Sequence, residues 1–245
     1  MHDQPAPDPQ EDRLPAAVLR AAVGNTFETT VEQLATAIRL GVFVRDEFLP
    51  PERELAARLG VSRTTLREAI AALRESGLVT TTRGRGGGTL VTYAGTASQR
   101  GVGAVRTGAG LTDALDFRRV VEPGAAWLAA RRELSGDQRA WLVQSAAEVR
   151  AATHGAAHRI ADSRLHLAIA TLCGSPMLIE SVTRAQAALG EMLSAIPVLR
   201  TNISHSSDQH DAVVDAVLRG DPEGARTAME EHCDATSALL RGLIG

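Results

Sequence analysis

The stretch from Leu49 to Val91, LPPERELAARLGVSRTTLREAIAALRESGLVTTTRGRGGGTLV, constrains the fold more than any other part of the chain. Leu55, Ala56 and Leu59 recur at helical spacing, and so do Leu66, Ala69, Ile70 and Leu73. Between the two stripes, Gly60-Val61-Ser62 allows a tight turn, and Ser62 suits the cap of a second helix that begins at Arg63. Pro51 suits the first turn of the first helix. Gly77 ends the second helix, and Leu78–Thr81 and Thr89–Val91 read as strands on either side of a glycine-rich turn, Arg83–Gly88. Helix, turn, helix and hairpin in that order predict a winged helix-turn-helix, whose second helix enters the major groove of duplex DNA.

This motif fills only a minority of the 245 residues. Upstream, Val31, Leu34, Ala35 and Ile38 predict a further helix, capped by Thr29 or Thr30 and ended by Gly41. Downstream, residues 92–110 lack periodicity and are rich in Gly, Ala and Thr. Beyond them, helical patterns run near 111–133, 136–152, 157–173, 176–195, 206–219 and 222–243, with the pair Asp221-Pro222 a strong helix start. Short-linked helices of this size predict an antiparallel bundle. The expected organisation is a flexible tail at 1–24, a DNA-binding domain at 25–91, a linker at 92–110 and an all-α domain at 111–245. The fold class is mostly α, with one small β-wing.

Composition supports this division. Hydrophobic residues make up 44% of the chain but aromatic residues only 3%, so the cores rest on Leu, Val, Ile and Ala, which favours helix packing. Net charge is −3, with +3 between Val61 and Val91 and −6 over the rest, so positive charge gathers where phosphate would be met. All 26 basic residues are arginine. Cys173 and Cys233 form no CxxC pair and read as small buried apolar residues. No apolar run is long enough to span a membrane, and the acidic, proline-rich start does not read as a signal peptide, so a cytoplasmic protein is expected.

Two constellations carry chemistry. Ser62, Arg63, Thr64, Thr65 and Arg67 occupy the first turns of the predicted reading helix. Arg63 and Arg67, four apart, share a face and can hold guanine with two hydrogen bonds, while Ser and Thr suit phosphates or thymine methyls. Arg53 is placed to meet backbone phosphate, and Arg83 and Arg85 sit in the wing, whose glycines allow close approach. Arg58 and Arg74 read instead as parts of a solvated face, with Glu54–Arg58 an i,i+4 pair. In the helical half, Asp162 and His166 also lie four apart; His210 is expected near the start of a later helix and His232 near the middle of the last. One carboxylate and three imidazoles on three helices could converge on a divalent metal. On spacing alone, an ordinary pair on an amphipathic surface fits Asp162 and His166 as well. His2, His154, His158 and His205 read as surface residues, with His205 the nearest to an exception because a short Ser-rich turn separates it from His210.

The N-terminal region resembles the DNA-binding domain of the GntR family of bacterial transcription regulators. The residues that carry the resemblance are Leu49-Pro50, Glu52–Ala56, Leu59–Ala69, Leu73, Gly77–Val79 and Arg83–Thr89. It implies DNA contacts from Arg53, Arg63, Arg67 and the wing Gly84–Gly86. Two positions depart from the family pattern: Pro51 stands where Ser is usual, and Arg45-Asp46 where Pro-Gly is usual. The helical half is similar to the FCD effector domain of the FadR subfamily, on Asp162, His166, His210, His232, Arg118 with Glu122-Pro123, and Ala225–Met229; Ser175 departs from a usual Asn. This second resemblance implies a metal held by Asp162, His166, His210 and His232. Zn, Ni, Co or Mn would suit such ligands. It also places Arg118 at the same cavity, where it would clamp a small carboxylate effector, unless it only bridges to Glu122.

The expected function is a sequence-specific transcription regulator, a repressor working as a homodimer on a pseudopalindromic double-stranded operator and controlled by an organic acid. Two other classes fit less of the sequence. One is a constitutive DNA-binding regulator with a purely structural metal. The other is a metal-dependent enzyme joined to a DNA-binding domain, for which no second carboxylate or nucleophile motif is in evidence.

Overall fold

The computed structural model describes residues 18–19, 27–82, 87–94, 108–152, 155–196 and 200–244. They divide into two compact units, Met1–Tyr93 and Ala94–Gly245. In the first, α1 spans Phe27–Arg39, α2 Glu52–Leu59, α3 Arg63–Glu75, β1 Val79–Thr81 and β2 Thr89–Val91. α1 and α2 both pack on α3, joining Leu34, Ile38, Leu55, Leu59, Leu66 and Leu73 in one aliphatic core. Thr29 and Thr30 lie inside α1 rather than capping it, and Thr30 is buried. Leu19, in the segment expected to be a flexible tail, is also buried.

The wing is an antiparallel pair with Val79 opposite Val91 and Thr81 opposite Thr89. The chain ahead of α2 lies along β2: Asp46 N donates to Val91 O, Val91 N to Glu47 O, and Leu49 N to Thr89 O. Here Asp46 has φ 67, the left-handed conformation that a glycine adopts freely. The departure from Pro-Gly therefore leaves the turn intact. Asp46→Val should destabilise this unit by about 1–2 kcal/mol in urea unfolding, while Asp46→Gly should not. Nearby, the Phe48 ring lies against Gly88, where a Cβ would come within 2.9 Å of it.

The second unit contains α4 Gly108–Ala130, α5 Gly136–Ala151, α6 Gly155–Leu172, α7 Pro176–Ser194, α8 Arg200–Arg219 and α9 Pro222–Ile244. α4 is central, packing against α6, α7, α8 and α9. Leu111, Leu115, Leu189, Met192 and Leu240 form part of the core between α4, α7 and α9. Local signals set the helix starts. Ser135 and Gln138 form a capping box, Ser175 Oγ accepts from Leu178 N, and Asp221 Oδ1 accepts from Gly224 N. Three helices begin earlier than their sequence patterns predict. α4 starts at Gly108, inside the segment expected as linker; α6 starts at Gly155; and α8 starts at Arg200 rather than 206. His205 is therefore helical, not on a turn, and His210 lies mid-helix rather than near a helix start.

Candidate DNA-reading helix and metal centre

Ser62 caps α3, its Oγ accepting from Thr65 N at 3.0 Å and lying 2.8 Å from Thr65 Oγ1. These two candidate contacts thus also hold the helix start in place. Thr64 is exposed beside them. Arg63 and Arg53 are exposed and have no ion-pair partner among the described residues. Arg67 is engaged: its Nε donates to Glu52 Oε2 at 2.8 Å, tying α3 to the start of α2. Arg58 pairs with Glu54, as its spacing predicts. Pro51 occupies the cap position of α2 rather than its first turn, and it leaves that helix without a side-chain cap. Arg83, Gly84, Arg85 and Gly86 lie outside the described residues.

In the second unit, Asp162 and His166 from α6 meet His210 from α8 and His232 from α9, with one ligand atom from each within 4.8 Å of the others. His166 Nε2 lies 3.3 Å from His210 Nε2, and His210 Nε2 lies 3.4 Å from Asp162 Oδ1. A tetrahedral ion with bonds of about 2.0–2.1 Å spaces its ligands about 3.3 Å apart. Two spacings match that value and His166 Nε2 to Asp162 Oδ2 is wider at 4.0 Å, so the four side chains form a cluster that could hold a divalent metal. Side chains outside the cluster flank two of the rings, as is common for metal-bound histidines, whereas His210 Nδ1 is buried without a hydrogen-bond partner. His166 Nδ1 lies 2.9 Å from Glu122 Oε2, an ion-pair distance whose alignment falls short of a hydrogen bond. His232 Nδ1 is 3.3 Å from Gln209 Oε1.

Glu122 is the hub. It accepts from Arg118 Nε at 3.0 Å, Gln186 Nε2 at 2.6 Å and Cys233 Sγ at 3.7 Å. Burial alone would push its carboxyl up, but Arg118, His166 and Gln186 outweigh burial and hold it at about 2. Burial likewise opposes charge on Arg118, and its acidic surroundings more than offset that. Cys233, whose thiol burial pushes up to about 12, is neutral near pH 7, so Glu122 and Asp162 supply that support. The ion pair left open by the sequence is thus present. Yet it engages only Nε: Nη1 and Nη2 of Arg118 are buried without a hydrogen-bond partner. Arg118 lines a cavity of ≈ 70 Å³ together with Asp162 and His232.

His158, expected on the surface, is buried and lines the same cavity, whereas His205 is exposed. A helical period could have exposed the error, because His158 is four residues before Asp162 and eight before His166. His154 and His2 lie outside the described residues. The outer partners Gln186 and Gln209 carry no sequence signal of their own, since each is reached from another helix.

Burial, with smaller effects from neighbouring charges, holds His210 at about 4 and His232 well below its ordinary value, so both rings are neutral and fit to bind metal. In metal-free protein this has a consequence for stability. As pH falls from 6.5 towards 4, the unfolded chain takes up protons that the folded His210 refuses. Stability should drop by about 1.4 kcal/mol per pH unit for each such histidine. Urea midpoints at pH 7, 6 and 5 after chelation would show this, and a flat profile would contradict it.

The comparisons agree with both halves. The model of bacterial regulatory proteins of the gntR family matches residues 26–91, and that of the FCD domain matches residues 113–235. The chain is 33% identical over 214 residues to a candidate L-lactate dehydrogenase operon regulatory protein of Escherichia coli K12, covering 79% of this chain and 78% of that one. It is 30% identical over 222 residues to the transcriptional repressor NanR of the same strain, covering 86% and 82%. Its fold is similar to that of E. coli McbR/YncC, with a TM-score of 0.54 at 19% identity over 91% of this chain and 100% of that one. Fold and site define a winged-helix transcription regulator with a helical ligand-responsive domain. The chain belongs to the GntR family of bacterial regulatory proteins and carries an FCD domain. It is a DNA-binding regulator, not an enzyme. Among the described residues, no helix is long and apolar enough to cross a membrane.

Proposed function

We propose that this regulator is a cytoplasmic, homodimeric repressor that releases or holds its operator according to the occupancy of a metal-anchored acid site. The first unit, through Tyr93, holds the DNA-binding domain, and the helices from Gly108 onward form the effector domain. A dimer sets two copies of α3 on the half-sites of a pseudopalindrome. Arg63 and Arg67 read bases, and Arg53, Ser62, Thr64, Thr65 and the wing residues Arg83, Gly84, Arg85 and Gly86 position the backbone. Asp162, His166, His210 and His232 would hold Zn, Ni, Co or Mn, and the ion would supply a Lewis-acidic partner for a carboxylate oxygen. Arg118 receives the same carboxylate.

The observation that carries this reading is the buried Arg118, two of whose guanidinium nitrogens lack a hydrogen-bond partner, on a cavity also lined by two of the metal-site residues. Burying them without a partner is costly unless a ligand supplies one. Four protein ligands could instead close around a purely structural zinc. That alternative leaves the Arg118 nitrogens unexplained. For control to follow, the acid must bind better to one of the two DNA-affinity states, and operator DNA must then alter acid affinity by the same factor.

The test is to strip the full-length protein with a chelator, restore each metal in turn, and follow thermal stability and operator binding across a panel of carboxylic acids. Metal should raise Tm, and an acid should change operator affinity only in metal-loaded protein. If metal stabilises but no acid shifts either readout, the metal is structural and the regulator constitutive.

A further inference from the structure

A charged pair joins α2 to the reading helix. Arg67, one turn into α3, donates from Nε to Glu52 Oε2 at 2.8 Å, and Glu52 is the first residue of α2. Arg58 instead pairs with Glu54 of its own helix. Arg53 and Arg63 have no ion-pair partner among the described residues. Of the two exposed arginines in the first turns of α3, one is therefore free and the other is held.

The single bond through Nε leaves a defined remainder. A guanidinium is planar and carries five N–H donors. Nη1 and Nη2 of Arg67 make no hydrogen bond among the described residues, and they are the end that can grip O6 and N7 of one guanine. The carboxylate also neutralises the guanidinium. Sequence-independent binding follows the number of phosphates that cations neutralise, so a paired arginine adds little to it. A base edge offers directed acceptors, which the free end still meets. The side chains of Arg67 and Glu52 are 66% and 42% exposed, so water screens the pair and its effect is modest.

We propose that Glu52 is a specificity-determining positioning residue of the DNA-reading surface: it aims the two-nitrogen end of Arg67 at a base edge and withholds the charge of Arg67 from phosphate. This rests on the reading above in which Arg67 meets a base, and deepens it.

Binding of the full-length protein is measured by fluorescence anisotropy over a salt series. One duplex is selected from a random library by the unsubstituted protein, and the other is its scrambled counterpart. In Glu52→Ala the ratio of selected to scrambled affinity should fall about threefold, the size an exposed ion pair sustains. The slope of log affinity against log salt on the scrambled duplex should steepen by about one per subunit, because Arg67 becomes free to neutralise a phosphate. Glu52→Gln, which keeps an acceptor for Nε but loses the charge, should steepen that slope while holding affinity for the selected duplex within twofold. In an Arg67→Ala background, Glu52→Ala should change neither the ratio nor the slope. Equal loss on both duplexes would make Glu52 a support of the fold and overturn the proposal. An undiminished effect in the Arg67→Ala background would mean that Glu52 acts on DNA by its own charge, and overturns it too. If Arg67→Ala alone leaves the ratio unchanged, the base-reading role of Arg67 fails, and this proposal with it.

Discussion

Replacing Arg63 with alanine should lower affinity for the specific operator tenfold to a hundredfold while leaving affinity for a scrambled duplex nearly unchanged. A two-pronged arginine–guanine contact discriminates by about 1–3 kcal/mol. Arg63 is exposed at the first turn of α3 and has no ion-pair partner among the described residues, so its guanidinium is available to a base. Arg67 is different, since part of its guanidinium is already committed to Glu52. An exposed pair of that kind is worth little and can yield to DNA, but Arg67→Ala should cost less than Arg63→Ala. Fluorescence anisotropy on both duplexes at fixed salt would separate the cases. Equal weakening on the two duplexes would mean that Arg63 touches phosphate rather than base.

Arg118→Met should destabilise the helical unit by about 3–5 kcal/mol, about 10 °C in Tm, because it strands the Glu122 carboxylate in the core. Both partners are 1% exposed, so solvent cannot compensate. A second change, Glu122→Leu on top of Arg118→Met, should recover part of the loss, since it removes the stranded carboxylate but leaves Gln186 Nε2 buried without its acceptor. Measured after chelation, a single variant within 1 kcal/mol of the unsubstituted protein would show that water reaches Glu122 after all. The comparison also separates two roles of one residue: the double variant would be more stable than the single one but have no arginine for an acid.

The parts of the fold that were legible in the sequence are those set locally. The Ser62 cap, the Gly60 turn and the aliphatic stripes of α2 and α3 depend on residues within a few positions of each other, and all form as their spacing predicts. The four candidate metal residues also assemble, though the family resemblance rather than spacing singled them out. Errors came where a distant partner decides. Polar residues at 200–205 look like a loop until the packing of α8 is known. His158 looks like a surface residue until the helices around α6 close over it. Glu122 read as one half of a salt bridge, yet four side chains from three other positions on α7, α6 and α9 and from α4 itself converge on it.

The order of the two units along the chain has a consequence in time. On the ribosome, the residues of the DNA-reading unit, through Tyr93, emerge before any residue of the second unit. The metal cluster needs His232, on the last helix. At bacterial synthesis rates the interval is on the order of ten seconds. Each new molecule therefore passes through a stage that holds the reading helix and no sensor. A message broken after the codon for Tyr93 would leave that stage permanent.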